Sequence, residues 1–193
     1  MIHMIIIWHI MLKYFRLIEN HKNYFLLNYN YLFNHIFMFR IKYATMDDEY
    51  EIIKLEKHDT KDIHDNHRNG SLTVVWRDWD KLLANDPKMV YVSSVNPGEI
   101  KGPHLHKKRS SYFTCIHGKV VFILKKMDNS YVEIESSSDD PILLKISAGI
   151  PSAHINISKD ISRILTLADV AWKPNDNEME NVDFDQYNWQ KWN

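Results

Sequence analysis

Between Met89 and Leu167 the chain breaks into seven β-prone runs of four to seven residues. They are Met89 to Val95, Tyr112 to Ile116, Val120 to Lys125, Tyr131 to Glu135, Ile142 to Ile146, His154 to Ile157 and Ile161 to Leu167. Glycine, proline, asparagine, aspartate or serine separates each run from the next. Runs this short, with turn-formers between them, leave no room for the crossover helices of a βα repeat, and they predict antiparallel strands in a sandwich or barrel. No heptad, solenoid repeat, P-loop or GxGxxG pattern is present, which argues against nucleoside triphosphate hydrolysis and dinucleotide binding.

The chemistry concentrates in the stretch from Gly98 to Gly118, GEIKGPHLHKKRSSYFTCIHG, which opens on the turn Asn96, Pro97, Gly98 and closes on His117, Gly118. Side chains alternate along a strand, so His104 and His106 share a face. Imidazoles on the inside of a β-structure need partners for both ring nitrogens, which makes a pair of them a candidate site; the competing reading is two surface histidines in a hairpin. Lys107, Lys108 and Arg109 follow directly, either as a solvated loop or as partners for a phosphate group.

The 193 residues suit one domain with an appendage. A formal charge of −1 offers no argument for nucleic acid or an anionic membrane as partner. Cys115 is the single cysteine, so no internal disulfide forms; it is expected to be an inert core thiol, and the chain reads as intracellular and cytoplasmic.

Residues 1 to 45 differ in texture: rich in Ile, Tyr, Phe, Asn, Met and Lys, without Gly or Pro, and with Glu19 as the one acid. The run from Met1 to Leu12 is too short for a spanning helix, which needs ~20 residues, and lacks the basic start and small-residue cleavage site of a secretory signal. Tyr24 to Phe39 is interrupted by Asn28, Asn30 and Asn34 and is at most an amphipathic helix. The functional domain is expected to start near Met46 and run to residue 193, with the first 45 residues dispensable or a translated non-coding stretch. Within the domain Glu49 to Leu55 reads as a short strand, His58 to Asn69 as polar, Leu72 to Trp76 as strand-like, and Asp78 to Ala84 as one or two helical turns.

The spacing Gly98, His104, His106, Ser111, Gly118 resembles the first cupin motif, with Ser111 at its acidic position. Lys101, Gly102, Pro103 and His104 resemble the signature of the dTDP-4-dehydrorhamnose 3,5-epimerase-like sugar-nucleotide cupins, with lysine in place of arginine. The resemblance implies an all-β jelly roll, a nucleotide-sugar substrate, a homodimer and no metal or other cofactor. It also implies a function: epimerisation of a dTDP- or UDP-linked 4-keto-6-deoxy sugar by removal of a proton next to the ketone.

In that reading His104 is the base, since an imidazole with a reference pKa near ~6.5 takes and returns a proton at neutral pH. The family's orienting aspartate corresponds to Asp183, with Asp185 as fallback, and Lys101 is the candidate for stabilising the enolate. The family's Asp-x-Arg-Gly element, which helps hold the diphosphate, corresponds loosely to Arg68 before Gly70. Lys107 and Arg109 are further candidates for the diphosphate, and His106 completes the substrate-binding pair. The second cupin motif is degenerate: Ser152 stands at its histidine, and His154, two residues on, either shares the same interior or lies at the surface.

The chain departs from the epimerases at two catalytic positions. Their enolate-stabilising lysine is Ser111 here, and their tyrosine acid is Trp172, which can stack on a sugar or base but has no phenolic proton. Tyr91, Tyr112 and Tyr187 are the possible substitutes. The 3,4-ketoisomerases share Gly-x-His-x-His-Lys, as Gly102 to Lys107 read here, so that motif does not separate the two reactions. Two alternatives remain: a non-catalytic sugar-nucleotide-binding cupin, and a metal-dependent oxygenase holding Fe²⁺ or Zn²⁺ through His104, His106 and His154.

Overall fold

The structure is a computed structural model that describes residues 49–79 and 86–192. Twelve strands succeed one another: β1 Tyr50–Lys54, β2 Glu56–Lys61, β3 Arg68–Val74, β4 Met89–Val95, β5 Ile100–His106, β6 Ser111–His117, β7 Lys119–Lys125, β8 Tyr131–Ser137, β9 Ile142–Ile146, β10 Ser152–Asn156, β11 Ser162–Ala168 and β12 Met179–Asn181. A 3₁₀ turn, Trp189–Trp192, follows. Two five-stranded sheets form, in the orders β1-β9-β6-β11-β4 and β12-β5-β10-β7-β8, beside a two-stranded sheet of β2 and β3. The arrangement is the cupin jelly roll, all β and antiparallel throughout.

The interior between the large sheets takes Cys115, Val120, Phe122, Leu124, Ile134, Leu144, Ile146 and Ile164, all buried. Alternation sends Val121 and Ile123 to the opposite face of β7, where Phe184 and Tyr187 cover them together with Ala153 and Ile155. Both faces of β7 are therefore covered, which is why Lys119–Lys125 reads as a continuous apolar run rather than an alternating one. On the outer face of the other sheet, Tyr112, Leu143 and Leu167 lie under Leu55. Asn156, 1% exposed, ties the sheets at the turn between β4 and β5, donating to the carbonyls of Val95 (2.9 Å) and Asp160 (2.7 Å).

Several local expectations shift. Ile100–His106 is a full strand despite its Gly-Pro pair, because Gly102 and Pro103 form a bulge instead of ending the pairing. The polar stretch after His58 is half of a hairpin, and its partner strand is Arg68–Val74 rather than 72–76. Of the expected helical turns, Asp78 and Trp79 lie in a turn, and the rest fall outside the described residues, as does the whole reading of residues 1 to 45. Among the described residues no helix is long and apolar enough to cross a membrane. Cys115 is buried, and desolvation pushes its thiol up to about 11, so it stays protonated and unreactive.

Candidate active site

The site begins with the bulge in β5. Ser152 pairs with His104, yet His154 pairs with Lys101, so a step of two residues on β10 spans three on β5. An odd separation would put Lys101 and His104 on opposite faces of a regular strand; the extra residue brings them to the same one. The Gly102–Pro103 bond within the bulge is cis. Gly102 has φ +93°, and a Cβ there would stand 2.8 Å from the Ser152 carbonyl oxygen, so glycine alone lets β5 lie this close to β10. Ser152 and His154 pair with Leu124 and Phe122, which face the interior. Lys101, His104, His106, Ser152 and His154 thus line one inner face.

β12 pairs with the free edge of β5 and supplies partners to both histidines. His104 Nδ1 donates to Asn181 Oδ1 at 3.0 Å. Since a carbonyl oxygen only accepts, Nδ1 carries the proton and Nε2 keeps a lone pair. His106 Nδ1 donates to Glu178 Oε2 at 2.8 Å, and Arg109 Nη2 lies against the same ring, 3.0 Å from Nδ1 and 2.7 Å from Nε2. Burial first, and the Arg109 charge with it, hold the His106 pKa below the usual imidazole value against the opposing pull of Glu178. His106 is a neutral ring, with its Nδ1 proton held by Glu178 and the Arg109 guanidinium against it. Glu178 Oε1 also accepts the Arg109 backbone N–H at 3.1 Å, so this carboxylate holds the ring and the arginine together.

His154 lies deeper, its ring 5.4 Å from that of Phe122. Its Nε2 is shut off from solvent and has no hydrogen-bond partner among the described residues. Burial, with smaller contributions from the charges of Lys101 and His104, pushes its pKa down to about 4, so the ring is neutral at physiological pH. Beside His106 a small cleft of ≈ 10 Å³, room for about one water-sized atom, is lined by Arg109, Ser111, Phe113, Ile146 and Ser152. Among the described residues, the His, Cys, Asp and Glu side chains whose ligand atoms gather within 4.8 Å in a group of three are Asp62, Asp65 and His67, in the β2–β3 turn; the three inward histidines form no such group.

The residues expected at the site divide accordingly. Lys101, His104, His106 and His154 come together on the inner face, and Arg109 is enclosed rather than displayed at the surface, 6% exposed. Asp183 does not orient His104: the chain leaves β12 at Asn181 to bury Phe184, Asp183 is exposed, and the imidazole bonds to Asn181 instead. Lys107 is paired with Glu180 at 2.9 Å on the exposed rim. Arg68 stands on the β2–β3 hairpin, paired with Asp59 at 2.7 Å, and Trp172 is 61% exposed between β11 and β12. Of the three tyrosines, Tyr112 packs on the outer face of its sheet and Tyr187 on the outer face of the other. Tyr91 pairs with Thr166, which pairs in turn with inward-packed Phe113, so Tyr91 shares the inner face. Asn181 and Glu178 escape a sequence reading because a three-residue strand carries no periodic signal.

Residues 48–189 match the family described as FdtA: WxcM-like, C-terminal. No curated protein sequence matches the chain. Among solved structures, a dTDP sugar isomerase from Desulfovibrio desulfuricans G20 is similar at TM-score 0.63 and 14% identity, over 73% of this chain and 90% of that one. QdtA, a sugar 3,4-ketoisomerase from Thermoanaerobacterium thermosaccharolyticum in complex with TDP, is similar at TM-score 0.55 and 24% identity, over 70% and 89%. NovW, a 4-keto-6-deoxy sugar epimerase of Streptomyces spheroides, gives TM-score 0.58 and 14% identity over 72% and 71%. The match to the capsular polysaccharide assembling protein CapF of Staphylococcus aureus spans 51% of this chain and 29% of that one, at 21% identity and TM-score 0.48. The structural likenesses establish the jelly roll, and the match over residues 48–189 establishes the family: the chain belongs to the FdtA, WxcM-like C-terminal family.

Proposed function

We propose that this chain enolises a nucleotide-linked 4-keto-6-deoxy sugar, with His104 as base, and moves the ketone from C4 to C3. The observation that carries the reading is the His104–Asn181 bond, which fixes the tautomer and leaves Nε2 as a lone pair on the inner face, as a base for a carbon-bound proton requires. His104 takes the C3 proton, the C–H electron pair becomes the C3–C4 double bond, and the carbonyl pair moves onto O4. The O3 proton then passes to O4, which becomes a hydroxyl; O3 collapses to a carbonyl, and the C3–C4 double-bond pair takes back the proton from His104 at C4, which completes the isomerisation without any net redox change. One base on one face suffices for this. Membership of the FdtA family and the likeness to a 3,4-ketoisomerase support it.

Epimerisation is the second reading, with Tyr91, a phenol on the inner face of the opposite sheet, as the candidate acid for the far side of the ring. NMR of dTDP-4-keto-6-deoxyglucose incubated with the protein in D₂O separates the two. Isomerisation yields a 3-ketone, whereas epimerisation retains the 4-ketone and places deuterium at C3 or C5. His104→Asn is expected to lower turnover by ~10²–10⁴-fold with sugar-nucleotide binding kept. Asn181→Ala is expected to slow it as well, by less, since it orients the ring and moves no proton. A wild type that binds the sugar and neither exchanges nor isomerises it overturns the proposal in favour of a binding module.

A further inference from the structure

The cleft beside His106 contains donors that the folded chain does not use. Ser111 is 2% exposed and Arg109 6%, and neither Ser111 Oγ nor Arg109 Nε has a hydrogen-bond partner among the described residues. Buried donors left unpaired destabilise a fold, so a pair of them lining one cleft marks a place that a ligand atom completes. The other groups around them are Phe113, Ile146 and Ile150, which exclude water, with Ser147 and Ser152 at the wall. A guanidinium N–H and a hydroxyl in low-dielectric surroundings suit an oxygen that carries negative charge.

The arginine is also preorganised. Its backbone N–H is held by Glu178 Oε1 at 3.1 Å and its Nη2 packs against the His106 ring, 3.0 Å from Nδ1 and 2.7 Å from Nε2, so Nε keeps its direction without help from a ligand. Glu178 Oε2, 3.8 Å from Nε, is beyond hydrogen-bond reach of it. Lys101, the enolate partner expected from the sequence, is exposed and lies at the His154 end of the row along β5, away from this cleft.

We propose that Arg109 Nε and Ser111 Oγ form a subsite for an anionic oxygen, filled during turnover by the ketone oxygen as it becomes an enolate. This assignment of the occupant rests on the enolisation reading given above. When His104 takes the proton, the carbonyl pair comes to rest on the oxygen, which accepts from both donors; when the proton returns, the charge leaves and both bonds weaken. Ser111 thus occupies the position of the epimerases' lysine with a neutral donor, and Arg109 supplies the charge from two residues away.

Ser111→Ala tests this with little risk to folding, because it removes a hydroxyl that the free protein leaves unpaired. The expected result is a Tm equal to or above that of the wild type, sugar-nucleotide binding retained, and solvent deuterium exchange next to the ketone slowed by about 10²-fold. Arg109→Met combined with Glu178→Gln, which avoids an unpaired buried carboxylate, is expected to lose at least as much. Ser111→Ala exchanging at the wild-type rate overturns the proposal. Thermal melts in sodium formate against sodium chloride at equal ionic strength read the subsite apart from the reaction. A formate-specific rise in Tm of the wild type that Ser111→Ala lacks supports it. In a wild type that shows no exchange, such a rise keeps the anion subsite and removes the enolisation reading, whereas its absence overturns the subsite too.

Discussion

An imidazole whose proton affinity is suppressed by burial makes the folded state sensitive to acid, and His154 is the residue that sets this here. Its folded pKa of about 4 lies below the value near ~6.5 of an unfolded histidine. Between those values the unfolded chain binds a proton that the folded chain refuses, so stability is fully present above pH ~6.5 and is lost as pH falls toward 4. His106 is displaced in the same direction and adds to the effect. Denaturant titrations from pH 7 to 4 are therefore expected to lose up to about 3 kcal/mol through His154, and His154→Leu should flatten the profile by that share. A variant whose profile parallels the wild type would show that His154 takes up its proton without opening the fold.

At the scale of elements, the bulge in β5 and the short strand β12 decide which side chains meet. β12 is three residues long, yet the segment it belongs to supplies Asn181 and Glu178 to histidines that precede them by 77 and 72 positions. It is held in place by the burial of Phe184 and Tyr187 against β7 and β10, aided by the bond from Val182 N–H to the Pro103 carbonyl at 3.2 Å. Gly102→Ala should disturb this arrangement at its origin, since φ +93° disfavours a side chain and the Ser152 carbonyl oxygen lies 2.8 Å from the new Cβ. The expected loss is ~1–3 kcal/mol of stability, with an activity deficit because His104 and Lys101 no longer share a register. Unchanged stability and activity in Gly102→Ala would mean that β5 and β10 can separate without consequence.

For the whole molecule, the family match from 48 to 189 supports the proposal that residues 1 to 45 are not needed for folding. A chain from Met46 to 193 is expected to be soluble and to unfold cooperatively; aggregation of that chain while the full one stays soluble would show the boundary to be wrong. The same preparation tests the proposed homodimer by size-exclusion with light scattering. Val90 and Val92 are 55% and 51% exposed on β4, an edge strand among the described residues, and a second copy is the simplest cover for them. A monomeric mass at all concentrations would remove that proposal.

The sequence by itself determined short antiparallel strands in a sandwich or barrel and a shared face for His104 and His106, because turn chemistry and the two-residue strand period act within a few residues of where they are written; the jelly roll was what the resemblance of its motifs to the cupins implied. The same period turns His154 inward, on the face that Ser152 shares. What only the tertiary structure decided was pairing at long range. IKGPHLH carries the residues of a turn and becomes a strand because β10 and β12 flank it. Arg109, the last of three consecutive basic residues, reads locally as solvated and is buried because Glu178, 69 positions away, meets its backbone N–H. Asn181 replaces Asp183 at His104 because β12 ends where the apolar cover begins. Local propensity specifies which residues can form strands, but which strand edge the chain later returns to depends on how the apolar faces are covered. The site's proton positions follow from that return.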